Sequence, residues 1–174
     1  MKKITVDDIL RICKGKLVCG SKEIECKHFE RDTRNVKTGD VYIGIKGENF
    51  DGNTLYEKAF EQGASVAIVS GINPNVYKDK TIILVEDTIK ALQQIAEYKR
   101  NLYDIPVIAV TGSVGKTSTK DIVASVMSQK YKVLKTQGNL NNHIGLPITI
   151  LQLEDHEAIV VEMGMNHFGE IRTL

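Results

Sequence analysis

Ile108-Ala109-Val110-Thr111-Gly112-Ser113-Val114-Gly115-Lys116-Thr117-Ser118-Thr119 decides the fold. The apolar, β-branched start, Val107 to Thr111, reads as a strand; two glycines and a lysine follow, and from Lys120 to Lys130 the spacing is helical. Gly112 and Gly115 can take positive φ and bring the backbone close to a ligand, so that successive N–H groups and a fresh helix N-terminus point at an anion. The anion expected is the phosphate chain of a nucleotide. Gly112, Ser113, Val114, Gly115, Lys116, Thr117 and Ser118 would cradle it, Lys116 as the catalytic cation on the β- and γ-phosphates and Thr117 with its hydroxyl on Mg²⁺. The loop is shorter than the usual phosphate-binding pattern, since Val110 stands five residues before Gly115 and Gly112 only three before it. A Gly-rich turn with an exposed lysine is the alternative.

Downstream, Tyr131 to Lys135 reads as a strand, and Thr136 to His143 as a polar loop unusually rich in asparagine, with Asn139, Asn141 and Asn142 close together. Pro147 suits the first turn of a helix over Ile148 to Leu153. Ala158 to Val161 is an apolar run that predicts a central strand, with Glu162 at its C-terminal end, where ligands sit in an open parallel sheet. Glu162 is therefore expected to reach the edge that carries Lys116 and to act on Mg²⁺ together with Thr117; a solvated carboxylate at a strand end is the alternative. Met163 to Ile171 reads as a loop turning into a helix, and His143, His156 and His167 read as hydrogen-bonded or exposed residues rather than metal ligands.

Upstream, Thr5 can cap a helix over Val6 to Cys13, ended by Gly15. Lys16 to Cys19 and Ile24 to His28 are candidate strands with a turn at Gly20-Ser21, and Val41 to Ile45 a buried one. Between them Asp32, Thr33 and Arg34 offer an acceptor, a hydroxyl and a guanidinium, while Lys46 and Gly47 add a cation and a flexible backbone after the next strand. Such a set suits a uridine or phosphate ligand, and equally an ordinary solvated turn with one ion pair. Thr54 is expected to cap a helix to Gln62, stopped by Gly63; Val66 to Ser70 and Thr81 to Val85 read as buried strands. Asp87 or Thr88 opens a longer helix that ends near Asp104, because Pro106 turns Ile105 away from helical geometry. The expected architecture is α/β, with a small domain over residues 1–85 and a phosphate-loop domain with a mainly parallel sheet over residues 86–174, the boundary falling between about 80 and 105.

Bulk properties narrow the partners. The 174 residues carry a net charge of +1, with 42% hydrophobic and 26% charged residues, so no basic footprint for nucleic acid is present. The N-terminus turns acidic at Asp7-Asp8 before any long apolar run, which predicts neither a signal peptide nor a membrane span. Cys13, Cys19 and Cys26 fit no common zinc spacing, and their odd number argues against a disulfide framework; reduced thiols in the cytoplasm are expected.

Taken together, several stretches resemble the Mur ligase family of peptidoglycan synthesis. They are Asp32-Thr33-Arg34 with Gly39-Asp40-Val41, Lys46-Gly47-Glu48 with Phe50-Asp51-Gly52, Gly63-Ala64, and Thr111 to Ser118. Gly138 to Asn142 with Ile144 to Pro147, and Glu162-Met163-Gly164 with Asn166-His167 and Gly169-Glu170-Ile171, complete the set. The shortened phosphate loop is the form this family uses. The resemblance implies a UDP-sugar site that includes Asp32, Thr33, Arg34, Lys46, Gly47, Asn139 and Asn142, and ATP with Mg²⁺ as cofactors. It also implies amide formation through an acyl phosphate. Within the family the pattern is similar to the member that extends the peptide stem last, which implies UDP-N-acetylmuramoyl-tripeptide and D-alanyl-D-alanine as substrates, no nucleic-acid or membrane partner, and a monomeric full-length enzyme. Chains of the family continue well past Leu174, so a fragment that binds without ligating is expected, its sheet left open beyond the Glu162 strand; the alternatives are a standalone nucleotide or UDP-sugar binding module without ligase activity, or another member of the family.

Overall fold

The computed structural model describes residues 2–47, 49–165 and 167–174, the side chain of Thr173 excepted. Glu48 and Asn166, members of two of the resembling stretches, lie outside the described residues. The chain divides into two compact units, Lys3–Ile95 and a second containing Ala96–Leu174.

In the first unit, α1 (Val6–Cys13) opens with a capping box: the Thr5 hydroxyl accepts from the Asp8 N–H while the Asp8 carboxylate accepts from the Thr5 N–H. β1 (Lys16–Cys19) follows. The expected strand over Ile24 to His28 does not form. That segment makes one isolated bridge, Thr5 to Glu25, and the strand begins later, as β2 (Phe29–Glu30), once the His28 carbonyl has accepted from the Val41 N–H. β3 (Val41–Ile43) stops two residues short of expectation, although Gly44 and Ile45 are buried too.

A 3₁₀ turn over Gly52–Leu55 leads into α2 (Tyr56–Glu61). Here Asp51, not Thr54, is the cap. Its carboxylate accepts from the Asn53 N–H, and the Thr54 hydroxyl donates back to the Asp51 carbonyl. β4 (Val66–Val69) and β5 (Thr81–Leu84) complete a mixed sheet of order β1-β5-β4-β3-β2, parallel from β2 to β5 with β1 antiparallel at the edge. β4 is wholly buried, and Tyr42, Tyr56, Phe60, Ala67 and Ile82 pack together on one face of the sheet. Burial pushes the Cys13 thiol up to about 11, and burial with the charges of Asp8 and Glu25 pushes that of Cys26 to about 12, which favours the protonated thiol at both.

α3 (Thr88–Asn101) starts where the Asp87 carboxylate accepts from the N–H groups of Ile89 and Lys90, and the division between the units falls within it. In the second unit, β6 (Val107–Val110) is followed by α4 (Lys116–Met127), which begins directly after Gly115 and ends three residues before Lys130. Then come β7 (Val133–Lys135), α5 (Gly145–Ile150), β8 (Ala158–Glu162) and the short α6 (Glu170–Thr173). α5 starts three residues before the expected Ile148, because the Asn142 side-chain oxygen accepts from the N–H groups of Ile144 and Gly145 and so turns the chain into the helix. The sheet is parallel, in the order β6-β8-β7. β8 is thus central, as its apolar run predicts, and the open edges are β6 and β7 rather than a position beyond β8. Leu134, Leu146, Leu153, Ile159 and Val161 form the core.

Candidate functional site

Between β6 and α4 the backbone takes positive φ at Gly112 (+148°) and Gly115 (+78°). A Cβ at Gly115 would meet nothing within 4 Å, so what this position demands is the left-handed backbone and not space. Gly115 caps α4 without any side-chain hydrogen bond, leaving the first-turn N–H groups at 116–118 to face the loop with the positive end of a 12-residue helix. Lys116 folds back so that Nζ donates to the Gly112 carbonyl at 2.8 Å. Ser113 and Val114 are exposed along the loop and Ser118 in the first turn of α4. This is a cradle of donors around the Lys116 ammonium, exposed on the outer side.

The register of the sheet brings Glu162 to this cradle. Val110, the last residue of β6, pairs with Glu162, the last of β8, so both strands end at one edge. Glu162 is 3% exposed, which excludes a solvated carboxylate. Its Oε2 accepts from the Thr117 hydroxyl at 2.8 Å and its Oε1 from the Asn141 side-chain amide at 2.7 Å. Among the described residues no cluster of three or more His, Cys, Asp or Glu could form an all-protein metal cage. One hydroxyl and one carboxylate beside an anion cradle instead suit Mg²⁺, which takes one or two protein oxygens and completes its octahedron with phosphate and water.

Of the two asparagines singled out in the loop, Asn139 is exposed and Asn142 starts α5; it is Asn141 that meets Glu162. Asn141 also accepts from the Gly164 N–H through its carbonyl, clasping the chain on the far side of β8. Spacing alone did not mark it out. Lys120 and Thr136, both buried near Glu162, were also missed. For Lys120 a signal existed: it shares the inner face of α4 with the buried Ala124, four residues on. His167 closes the start of α6, its ring Nδ1 3.1 Å from the Glu170 carboxylate, and His156 is half-buried and accepts from the Glu154 N–H rather than standing exposed.

In the first unit, the parallel pairing of β2 with β3 places Asp32–Arg34 and Lys46–Gly47 just past the C-terminal ends of neighbouring strands, on one edge of the sheet. The Arg34 guanidinium donates through Nε and Nη2 to both Asp32 oxygens, at distances from 2.6 to 3.1 Å. These hydrogen bonds hold the Asp32 carboxyl down at about 2. The pair engages the Nε–Nη2 edge, so a phosphate would meet the guanidinium at its Nη1–Nη2 end unless the pair opens. Thr33 is buried, whereas Lys46 is exposed at the base of a tight reversal in which the Gly47 N–H donates to the Phe50 carbonyl and the Gly52 N–H to that of Ile45. Beneath them the Tyr42 hydroxyl donates to the Gly52 carbonyl; burial, then the charges of Asp32 and Asp51, push its phenol up to about 12.

Two family models match the chain, that of the Mur ligase family catalytic domain over residues 27–100 and that of the Mur ligase middle domain over residues 110–174. The UDP-N-acetylmuramoyl-tripeptide–D-alanyl-D-alanine ligase of Bacillus subtilis is 43% identical over 176 aligned positions, which cover all of this chain and 38% of the relative. A crystal structure of MurF from Acinetobacter baumannii superposes with a TM-score of 0.89 at 33% identity, over 99% of this chain and 38% of that one. A MurF ligase from Thermotoga maritima in complex with ADP superposes with a TM-score of 0.76 at 34% identity, over 84% of this chain and 34% of that one. The chain thus spans about 38% of the length of the curated relative it matches.

Proposed function

Because the chain belongs to the Mur ligase family, we propose that it supplies the nucleotide-handling part of an ATP-dependent ligase that joins D-alanyl-D-alanine to UDP-N-acetylmuramoyl-tripeptide in peptidoglycan synthesis. The observation that carries this reading is the Thr117–Glu162 hydrogen bond, which sets a hydroxyl and a buried carboxylate together beside the glycine loop. The second unit, in this reading, takes ATP. Its loop N–H groups and the α4 N-terminus hold the phosphates, and the Lys116 ammonium swings from the Gly112 carbonyl to the transferring phosphoryl group, where charge builds up in the reaction. Mg²⁺, held by Thr117 and Glu162, supplies further charge neutralisation on the phosphate oxygens when bound.

The first unit takes the UDP-sugar end of the second substrate on the edge formed by Asp32, Thr33, Arg34, Lys46 and Gly47. In the ligase the tripeptide carboxylate would accept the phosphoryl group and the dipeptide amine would displace it, forming the amide. Such a substrate places the enzyme in the cytoplasm, and among the described residues no helix is long and apolar enough to cross a membrane. Calorimetric titration of ATP with Mg²⁺ into this chain tests the reading. Saturable binding at one site is expected, weakened at least about tenfold in Lys116→Ala with an unchanged melting curve, since a charge-assisted contact is lost. Equal binding by wild type and Lys116→Ala would move the nucleotide elsewhere.

A further inference from the structure

Lys120 follows Lys116 by one helical turn but points inward, with its side chain 3% exposed. A helix face packed on a sheet calls for an apolar residue there, such as Ala124 one turn on, and burying an ammonium is costly unless it is firmly held. Its two partners differ in kind. The Asp121 carboxylate, 3.3 Å away, is half exposed and lies closer to Lys135, at 2.8 Å. The Thr136 carbonyl, at 3.0 Å, is completely buried and belongs to the residue that follows β7. Thr136 in turn donates its N–H to the Val160 carbonyl, and its hydroxyl accepts from the N–H of Glu162 at 3.0 Å. Because Thr117 and Lys120 are three residues apart on α4, the bonds close a ring: Thr117 to the Glu162 carboxylate, Glu162 N–H to Thr136, Thr136 to Lys120, and back along the helix.

We propose that Lys120 and Thr136 are positioning residues that lock the Thr117 hydroxyl and the Glu162 carboxylate at the spacing one divalent cation can bridge, a role that rests on the reading of the loop as a nucleotide site. Neither residue reaches the cation. The ring bolts α4 to the end of β8 from below, so the two oxygens cannot drift apart when the hydrogen bond between them is replaced by metal ligation. Asn141, on the other carboxylate oxygen, leaves Glu162 no free rotation from above.

The test is the gain in ADP affinity when Mg²⁺ replaces EDTA, measured by calorimetry on the 174-residue chain, with circular dichroism melting of each variant. Lys120→Met, which keeps the length and apolar stem, should lose about tenfold of that gain while its affinity in EDTA is unchanged, the size typical of outer-sphere changes at metal sites. Thr136→Val should lose it likewise, and Thr136→Ser, which keeps the hydroxyl, should retain it. If Lys120→Met fails to fold, the Thr136 pair decides. A wild-type gain in folded Lys120→Met and Thr136→Val, or an equal fall in both affinities, would overturn the positioning role. So would a wild-type chain that binds ADP equally with Mg²⁺ and with EDTA, and in that case the nucleotide site itself would stand. A wild-type chain that binds no ADP would overturn the nucleotide reading and the positioning role with it.

Discussion

Arg34 and Asp32 show how a single pair sets the charge at the strand ends of the first unit. Asp32 is lowered from 3.8 to about 2 by the hydrogen bonds from Arg34, and its folded value therefore lies below its unfolded one. The stability it contributes is present above the unfolded value and is lost as the pH falls from about 4 through about 2. Arg34 is 82% exposed at its side chain, so solvent screening keeps that contribution small, and the titration itself is the better observable. Carboxyl NMR titration should place Asp32 near 2 in the wild type and back near the ordinary range in Arg34→Ala, and calorimetry should show weaker UDP-sugar binding by that variant. An unchanged Asp32 titration would mean that the pair does not persist in solution; equal UDP-sugar binding would place that ligand elsewhere.

Glycines whose missing side chain makes room for another segment act at the scale of elements. A Cβ on Gly145, the first residue of α5, would lie 2.5 Å from Leu140 Cα and 2.7 Å from its carbonyl carbon, so the loop before the helix could not stay where it is. Gly145→Ala should cost the second unit about 1–3 kcal/mol in chemical denaturation, the usual range for overpacking, and should disturb Asn141 and hence Glu162. Gly71→Ala, open on all sides, would pay only for its positive φ of +66° and serves as the milder control. The same scale separates what the sequence discloses from what it hides. α1, β4, β5, α3 and β8 were legible because their signals are local: a capping residue, an unbroken apolar run, a periodic stripe. The strand–glycine-loop–helix order and the place of Glu162 at the end of a central strand were legible for a similar reason, since each is written in a few consecutive residues. Hidden were the elements that another part of the chain decides. Ile24 to His28 has the composition of a strand, but the partner strand β3 accepts the chain only from Phe29 onward. Asn141 could not be told from Asn139 and Asn142, because its partner stands 21 residues further on.

Across the whole chain, central and edge strands differ in how completely they are covered, and this difference predicts which strands exchange first. β4 lies between β3 and β5 with all four residues buried, so its amides can exchange only when the first unit unfolds. Among the described residues β6 is an edge strand bonded to β8 alone, and Val107 and Ile108 are 39% and 36% exposed. α4 packs beside it and carries Ile122 and Val126, four residues apart on an outer stripe, both about two-thirds exposed. An apolar strand edge next to an apolar helix stripe is a template for another strand or another chain. Hydrogen exchange should accordingly protect β4 by orders of magnitude more than β6, and sedimentation should show an average mass that rises with concentration. A charge at the edge, as in Val107→Lys, should suppress that rise without altering exchange in β4, because the two strands belong to separate units. Equal protection of β4 and β6, together with a mass independent of concentration, would show that the exposed edge is closed in solution.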